Sequence, residues 1–235
     1  MDDGPTRRSS YDPGVTASTT YTAVFWDFGG VILSSPFEAF QRYETERGLP
    51  LDTIRSINAA NPDTNAWARF ERSEISPADF DSAFAAEAQA LGFELRGYDV
   101  LQLLRGEIRP EMVHALRTVK DAGFKTACLT NNVIDSTGTD HGHEVAERAS
   151  AVADAMSLFD AVIESSKVGC RKPEVEFYDI ACKELDVHPS ACVFLDDLGV
   201  NLKPAAAMGM TTIKVLSADQ AISDLESVLG LRLRA

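Results

Sequence analysis

At 235 residues, 45% hydrophobic and 25% charged, the chain has an ordinary globular composition and enough length for one large α/β domain carrying an insertion. A formal net charge of −14 and a pI near 4.7 leave no basic stripe to neutralise phosphates, which excludes nucleic acid as the main partner. Apolar runs long enough to span a bilayer are missing, so no membrane role is expected. The four cysteines, Cys128, Cys170, Cys182 and Cys192, form no C-x-x-C pair, which fits a reducing cytoplasm and neither a zinc knuckle nor a disulfide framework.

Residues 1–20 are polar, lack the apolar core of a signal peptide and are expected to form a disordered tail. The first organised stretch is Tyr21 to Leu33, YTAVFWDFGGVIL, in which an apolar, β-rich run ends abruptly in Asp27 followed by two glycines. A buried strand should therefore deliver one acid to its C-terminal edge. Gly29 and Gly30, without a Cβ, then permit a sharp turn and close approach to a ligand.

Residues 36–108 switch to helical periodicity, with Phe37, Phe40 and Tyr43, then Ala66 and Phe70, then Phe80, Phe84 and Leu91 at helix spacing. Ser76-Pro77-Ala78-Asp79 has the pattern of a helix start: Ser76 as N-cap, Pro77 first, an acid in the first turn. From Arg109 the pattern becomes a regular α/β alternation. A helix from Pro110 closes at Gly123 and leads to FKTACLTNN. Helices near Glu144–Met156, Glu174–Leu185 and Asn201–Met208 lead in turn to AVIES, ACVFLDD and TTIKVL, and a last helix follows.

Five strands alternating with helices imply an α/β fold: a parallel sheet with right-handed crossovers, helices on both faces, and ligands at the strands' C-terminal ends. Those ends carry Asp27, Thr130-Asn131-Asn132, Glu164-Ser165-Ser166 and Asp196-Asp197. Three carboxylates that converge repel one another unless a cation neutralises them, and hard oxygen ligands favour Mg²⁺. Alone, Asp196-Asp197 would serve equally well as helix-capping acids before Gly199, Thr130 as a strand end and Lys172 as a solvated lysine. Together at successive strand ends they supply an anionic nucleophile, a metal site, a hydroxyl and a cation, which is the equipment of phosphoryl transfer through an aspartyl intermediate.

In this order the motifs resemble those of the haloacid dehalogenase (HAD) superfamily over roughly residues 21–216: Asp27 in DFGGV, Thr130 in LTNN, Lys172 in SKVGCRKP, and Asp196-Asp197 in FLDDLGVN. The likeness is greatest to the phosphatase domains of soluble epoxide hydrolases, to similar domains fused to acyl-CoA dehydrogenases, and to bacterial sugar-phosphate phosphatases. It implies a HAD-like Rossmannoid core of residues 21–34 and 109–235, with 35–108 as a mobile helical cap that closes over the site. It also implies Asp27, Thr130 and Lys172 as catalytic residues and Gly29, Gly30, Asn131 and Asn132 around the substrate. Magnesium would be held by Asp27, the Gly29 carbonyl, Asp196 and Asp197, with Asp197 the preferred direct ligand through its four-residue spacing to Asn201.

The family's usual phosphatase carries a second Asp two residues after the nucleophile, where Gly29 stands here. A missing proton donor typically costs about 10²- to 10⁴-fold, so good leaving groups are favoured. The resemblance thus implies a Mg²⁺-dependent phosphatase of a small phosphorylated metabolite, with sugar phosphates one candidate class. Two alternatives stay open: a degenerate member that binds a phosphorylated ligand or partner without turnover, and a 2-haloacid dehalogenase. Asp135, Asp140, His141, His143 and Glu144 in DSTGTDHGHE are candidates for a replacement acid, against the simpler reading of a solvated loop. Cys170 beside Arg171 and Lys172 is a candidate for a lowered thiol pKa, against a bystander role, and Trp67 for a cap residue facing substrate, against packing.

Overall fold

Strand β1 (Ala23–Trp26) sets the layering. Its side chains alternate, Ala23 and Phe25 entering one core and Val24 and Trp26 the other, so the strand is buried on both faces and reads as an unbroken apolar run. The computed structural model describes residues 20–104, 106–131 and 143–234, with the backbone alone for Glu38 and residues 143–148. The expected disordered tail lies almost wholly outside these residues, as do residues 132–142.

After β1 and a tight turn over Phe28–Ile32 the chain enters five helices: α1 (Pro36–Glu46), α2 (Thr53–Ala59), α3 (Ala66–Glu71), α4 (Pro77–Ala90) and α5 (Gly97–Gln102). They form their own core around Phe40, Ile54, Phe70, Phe80, Phe84 and Val100. At its centre the Phe80 ring stacks on Phe70 at 4.6 Å and meets Trp67 edge-on at 5.6 Å. Helix α4 begins as its sequence dictates: Ser76 Oγ accepts from the Asp79 N–H at 3.2 Å, and the Asp79 carboxylate accepts in return from the Ser76 N–H at 3.4 Å. The two segments joining this insert to the core run antiparallel side by side, with an isolated Leu33–Ile108 bridge and a Ser34 N–H to Glu107 carbonyl bond of 2.7 Å.

The core then follows in regular alternation: α6 (Pro110–Asp121), β2 (Lys125–Thr130), α7 (His143–Met156), β3 (Ala161–Glu164), the short α8 (Ser165–Val168), α9 (Val175–Glu184), β4 (Cys192–Asp196), α10 (Gly199–Ala207), β5 (Thr211–Lys214) and α11 (Ala218–Leu229). The parallel sheet has the order β3-β2-β1-β4-β5. Met112, Leu116 and Val119 of α6 and Ile222 and Leu225 of α11 cover one face, and Phe177, Tyr178 and Ala181 of α9 with Leu202 and Ala205 of α10 cover the other. Chain order runs outward from β1 through β2 to β3, then returns to β4 on the opposite side. That reversal leaves a crevice at the C-terminal ends of β1, β2 and β4, where open α/β sheets place their ligands.

Candidate active site

The crevice is filled with charge. Asp27 extends β1 by one ladder bond, its N–H donating to the Leu195 carbonyl at 2.8 Å, which sets it beside the end of β4. Its Oδ1 accepts from the Phe28 N–H at 2.7 Å and lies 2.8 Å from Lys172 Nζ. The same ammonium reaches Asp196 Oδ2 at 2.8 Å, so one fully buried lysine bridges the tips of β1 and β4.

The two adjacent acids at the end of β4 do different work. Both Asp196 oxygens are occupied: Oδ1 accepts from the Leu198 N–H at 2.8 Å and from Asn201 Nδ2 at 3.1 Å, and Oδ2 accepts from Asn201 at 3.1 Å besides Lys172. Asp197 accepts only one side-chain hydrogen bond among the described residues, from Ser35 Oγ at 3.3 Å, and its carboxylate lies over the Phe28–Ile32 turn. A Cβ built on Gly30 would fall 2.2 Å from Asp197 Oδ2, and Gly30 has φ +78°, so both space and backbone demand glycine there. Arg109 Nη1 donates to the Gly30 carbonyl at 3.0 Å and fixes the turn from the far side.

Oxygens of Asp27, Asp196 and Asp197 all lie within 4.8 Å of one another. Burial pushes the Asp27 carboxyl up to about 8; Lys172 opposes this, while Asp196 and Asp197 add to it. Burial and the Asp196 charge likewise raise Asp197 to about 6, against Lys172 and Ser35. For Lys172, burial pulls downward, but the charges of Asp196 and Asp27 outweigh it and hold the ammonium above its ordinary range. With all three acids ionised, one ammonium would leave two negative charges in excess, and that donor set suits a small divalent cation with oxygen ligands. Lys172 and Asn201 already take up Asp196, so Asp27 and Asp197 are the acids with oxygens left to offer such an ion.

The sequence profile of the haloacid dehalogenase-like hydrolases matches residues 21–209, which takes in every group just described. The chain belongs to this family. Over 91% of its length it is 32% identical to acyl-CoA dehydrogenase family member 10 of Mus musculus, although it spans only 20% of that longer protein. It is 27% identical to the sesquiterpene phosphatase astK of Aspergillus oryzae, covering 90% of this chain and 98% of that one. Among solved structures, a HAD family enzyme of Bacteroides thetaiotaomicron in complex with magnesium and inorganic phosphate superposes with a TM-score of 0.57 at 16% identity, covering 87% of this chain and 98% of the other; it shares the fold.

Within this HAD hydrolase, Thr130 ends β2 in a buried position, with Glu164 of β3 in register beside it. Asn131 stands next to it and grips the main chain of Lys172, its Nδ2 donating to the Lys172 carbonyl at 3.0 Å and its Oδ1 accepting the Lys172 N–H at 2.9 Å. Asn132 lies outside the described residues, as do Asp135, Asp140 and His141 and the side chains of His143 and Glu144. At Gly29 a Cβ would meet nothing within 4 Å.

Two sequence-based candidates take the quieter of their alternatives. Burial raises the Cys170 thiol, with Glu176 and Glu174 adding to the rise, opposite to the lowered pKa an activated thiol needs. Trp67 packs on Phe80 and donates through Nε1 to Glu71 Oε1 at 2.9 Å. Glu71 itself is a buried acid on α3 whose Oε2 lies 2.7 Å from Arg171 Nε, an ion pair with the N–H not aligned for a hydrogen bond. Its sequence setting, RFERSE, reads as a solvated helix end; only the four-residue spacing to Trp67 hinted at a partner.

Proposed function

We propose that this HAD-family hydrolase is a magnesium-dependent phosphatase of a small phosphorylated metabolite in the cytoplasm, working through an aspartyl-phosphate on Asp27. The single observation behind this reading is the position of Lys172, whose Nζ sits 2.8 Å from both Asp27 and Asp196 and so commits one oxygen of Asp27 while leaving Oδ2 to attack. The likeness along nearly its full length to a fungal sesquiterpene phosphatase and the fold shared with a magnesium- and phosphate-bound HAD enzyme support it.

Asp27 and Asp197, with the Gly29 carbonyl, would hold the magnesium ion, while Asp196 orients Lys172 and Asn201. When bound, the ion supplies positive charge that keeps Asp27 ionised and screens a phosphate dianion from the acids. Asp27 Oδ2 then forms a bond to phosphorus as the ester P–O bond breaks. Lys172 and the Thr130 hydroxyl meet the charge on the phosphoryl oxygens. With glycine at position 29, the leaving alkoxide takes its proton from solvent, so activated esters, anomeric sugar phosphates among them, are the favoured class. Water next attacks phosphorus, releases inorganic phosphate and restores the Asp27 carboxylate. Helices α1–α5 act as the cap that shields this step from bulk water.

The test is a panel of phosphate esters with and without Mg²⁺, including aryl, acyl and sugar 1-phosphates, run beside 2-haloacids. Magnesium-dependent phosphate release supports the reading. Silence on every ester rejects it, and halide release without magnesium replaces it with a dehalogenase.

A further inference from the structure

The segment that carries Lys172 is gripped from the insert at several points. Ser165 Oγ donates to the backbone carbonyl of Glu71 at 2.6 Å, and Arg171 Nη1 donates to the Pro62 carbonyl at 3.0 Å. Arg72 Nη1 pairs with Glu174 at 3.3 Å. The Glu71 side chain, 7% exposed, points into this junction: Oε1 accepts from Trp67, and Oε2 faces Arg171 Nε at 2.7 Å and Asn131 Nδ2 at 3.5 Å.

A buried carboxylate is a costly way to pack two bodies together, because desolvation charges several kcal/mol that an apolar side chain would avoid. What an acid does, and an apolar residue does not, is orient donors. Both of its core partners belong to the catalytic loop geometry: Arg171 precedes Lys172, and Asn131 holds the Lys172 N–H and carbonyl together. The chain of contacts thus runs from α3 through Asn131 and Arg171 to the main chain of Lys172, and from its Nζ to Asp27 and Asp196.

We propose that Glu71 is a positioning residue for the reaction: with the insert seated on the core, its carboxylate fixes Asn131 and Arg171 and thereby sets Lys172 between Asp27 and Asp196. The consequence for rate rests on the phosphatase reading; the consequence for the loop does not. Among the described residues, the ionisable groups facing Glu71 are Arg171 and Lys172 from the core and Arg72 from the end of its own helix. Burial outweighs them, and the Trp67 N–H with them, and pushes the carboxyl up to about 7. The arrangement is therefore complete above that pH and loosens below it, when a neutral acid faces Arg171.

The experiment compares the 235-residue chain with Glu71→Gln, which keeps the shape and the acceptor for Trp67 but loses the charge, and with Glu71→Asp. Asp81→Asn serves as a control that disturbs α4 at the Arg96 contact, away from the junction. Glu71→Gln should lower kcat on an aryl phosphate about ten- to a hundredfold with little change in KM, as expected for a misplaced group, and, at Mg²⁺ saturating at every pH, remove the step in kcat centred near pH 7. Glu71→Asp should recover part of the rate. Backbone amides of residues 165–172 should exchange with solvent faster in Glu71→Gln than in the wild type, and as slowly as wild type in Asp81→Asn. Unchanged exchange in Glu71→Gln overturns the proposal, and so does faster exchange with an unaltered kcat. If the wild type hydrolyses no ester, the phosphatase reading falls and the exchange comparison alone decides the role of Glu71.

Discussion

Lys172→Met removes the charge that bridges the two central strand tips while keeping most of the side chain's volume. Lys172 is 1% exposed, and its ammonium contacts Asp27 Oδ1 and Asp196 Oδ2 at 2.8 Å each, so the substitution strands two buried carboxylates. Breaking a buried pair by deleting one partner costs about 3–5 kcal/mol. The loss must depend on pH. Asp27 already has a folded pKa near 8, above its ordinary value of 3.8, so the folded state holds a proton that the unfolded state releases; stability from this group falls as pH rises between those values. Without Lys172 the folded pKa climbs further and the fall continues to higher pH. Urea unfolding in chelator-treated buffer at pH 5 and pH 9 measures this. The expected deficit of the variant is about 3–5 kcal/mol at pH 9 and clearly smaller at pH 5, where Asp27 is protonated in both proteins. An equal deficit at both pH values, or one below about 1 kcal/mol at pH 9, the scale of an exposed pair, would refute the reasoning.

Other substitutions separate the two glycines of the turn. Gly29 has φ −70° and ψ 129° with open space beyond it, so Gly29→Asp should fold normally and, by restoring a proton donor, raise kcat on an alkyl phosphate by up to about 10²- to 10⁴-fold while changing an aryl phosphate far less. Gly30→Ala meets both a φ of +78° and Asp197 Oδ2 at 2.2 Å; thermal unfolding should show a loss of about 1–2 kcal/mol from the backbone alone, and calorimetry a greater loss of Mg²⁺ affinity. Mg²⁺ affinity should itself rise with pH, since the ion competes with protons on Asp197 near 6 and Asp27 near 8; titration at pH 5.5 and 8.5 checks it. At a hundred times its dissociation constant, Mg²⁺ should stabilise the fold by about 2.7 kcal/mol, and Asp197→Asn should lose most of that gain.

The sheet and its polar tips were legible because central parallel strands advertise themselves as apolar runs that end in abrupt polarity, as at Phe25-Trp26-Asp27 and Phe194-Leu195-Asp196. Ser76 and Pro77 likewise placed the start of α4 by local chemistry alone. Four features were not legible. Asp196 and Asp197 are adjacent and chemically identical; only the pleat decides that one turns to Lys172 and Asn201 and the other to Ser35 and Gly30. The spacing from Asp197 to Asn201 suggested a pair, yet the Asn201 amide serves Asp196. Gly29 and Gly30 looked equivalent as turn residues, whereas left-handed backbone and crowding fall on Gly30 alone. Glu71 stayed hidden because its core partners, Asn131 and Arg171, lie 60 and 100 residues away, beyond any periodicity.

The central claim is that Asp27 carries the phosphoryl group, and rapid acid quenching during turnover of an aryl phosphate, followed by mass analysis of the peptide containing Asp27, tests it most directly. The expected result is one added phosphoryl group on Asp27 in the presence of Mg²⁺, absent in Asp27→Asn. Phosphate release at full rate with Asp27 never modified, or undiminished turnover by Asp27→Asn, would contradict the account.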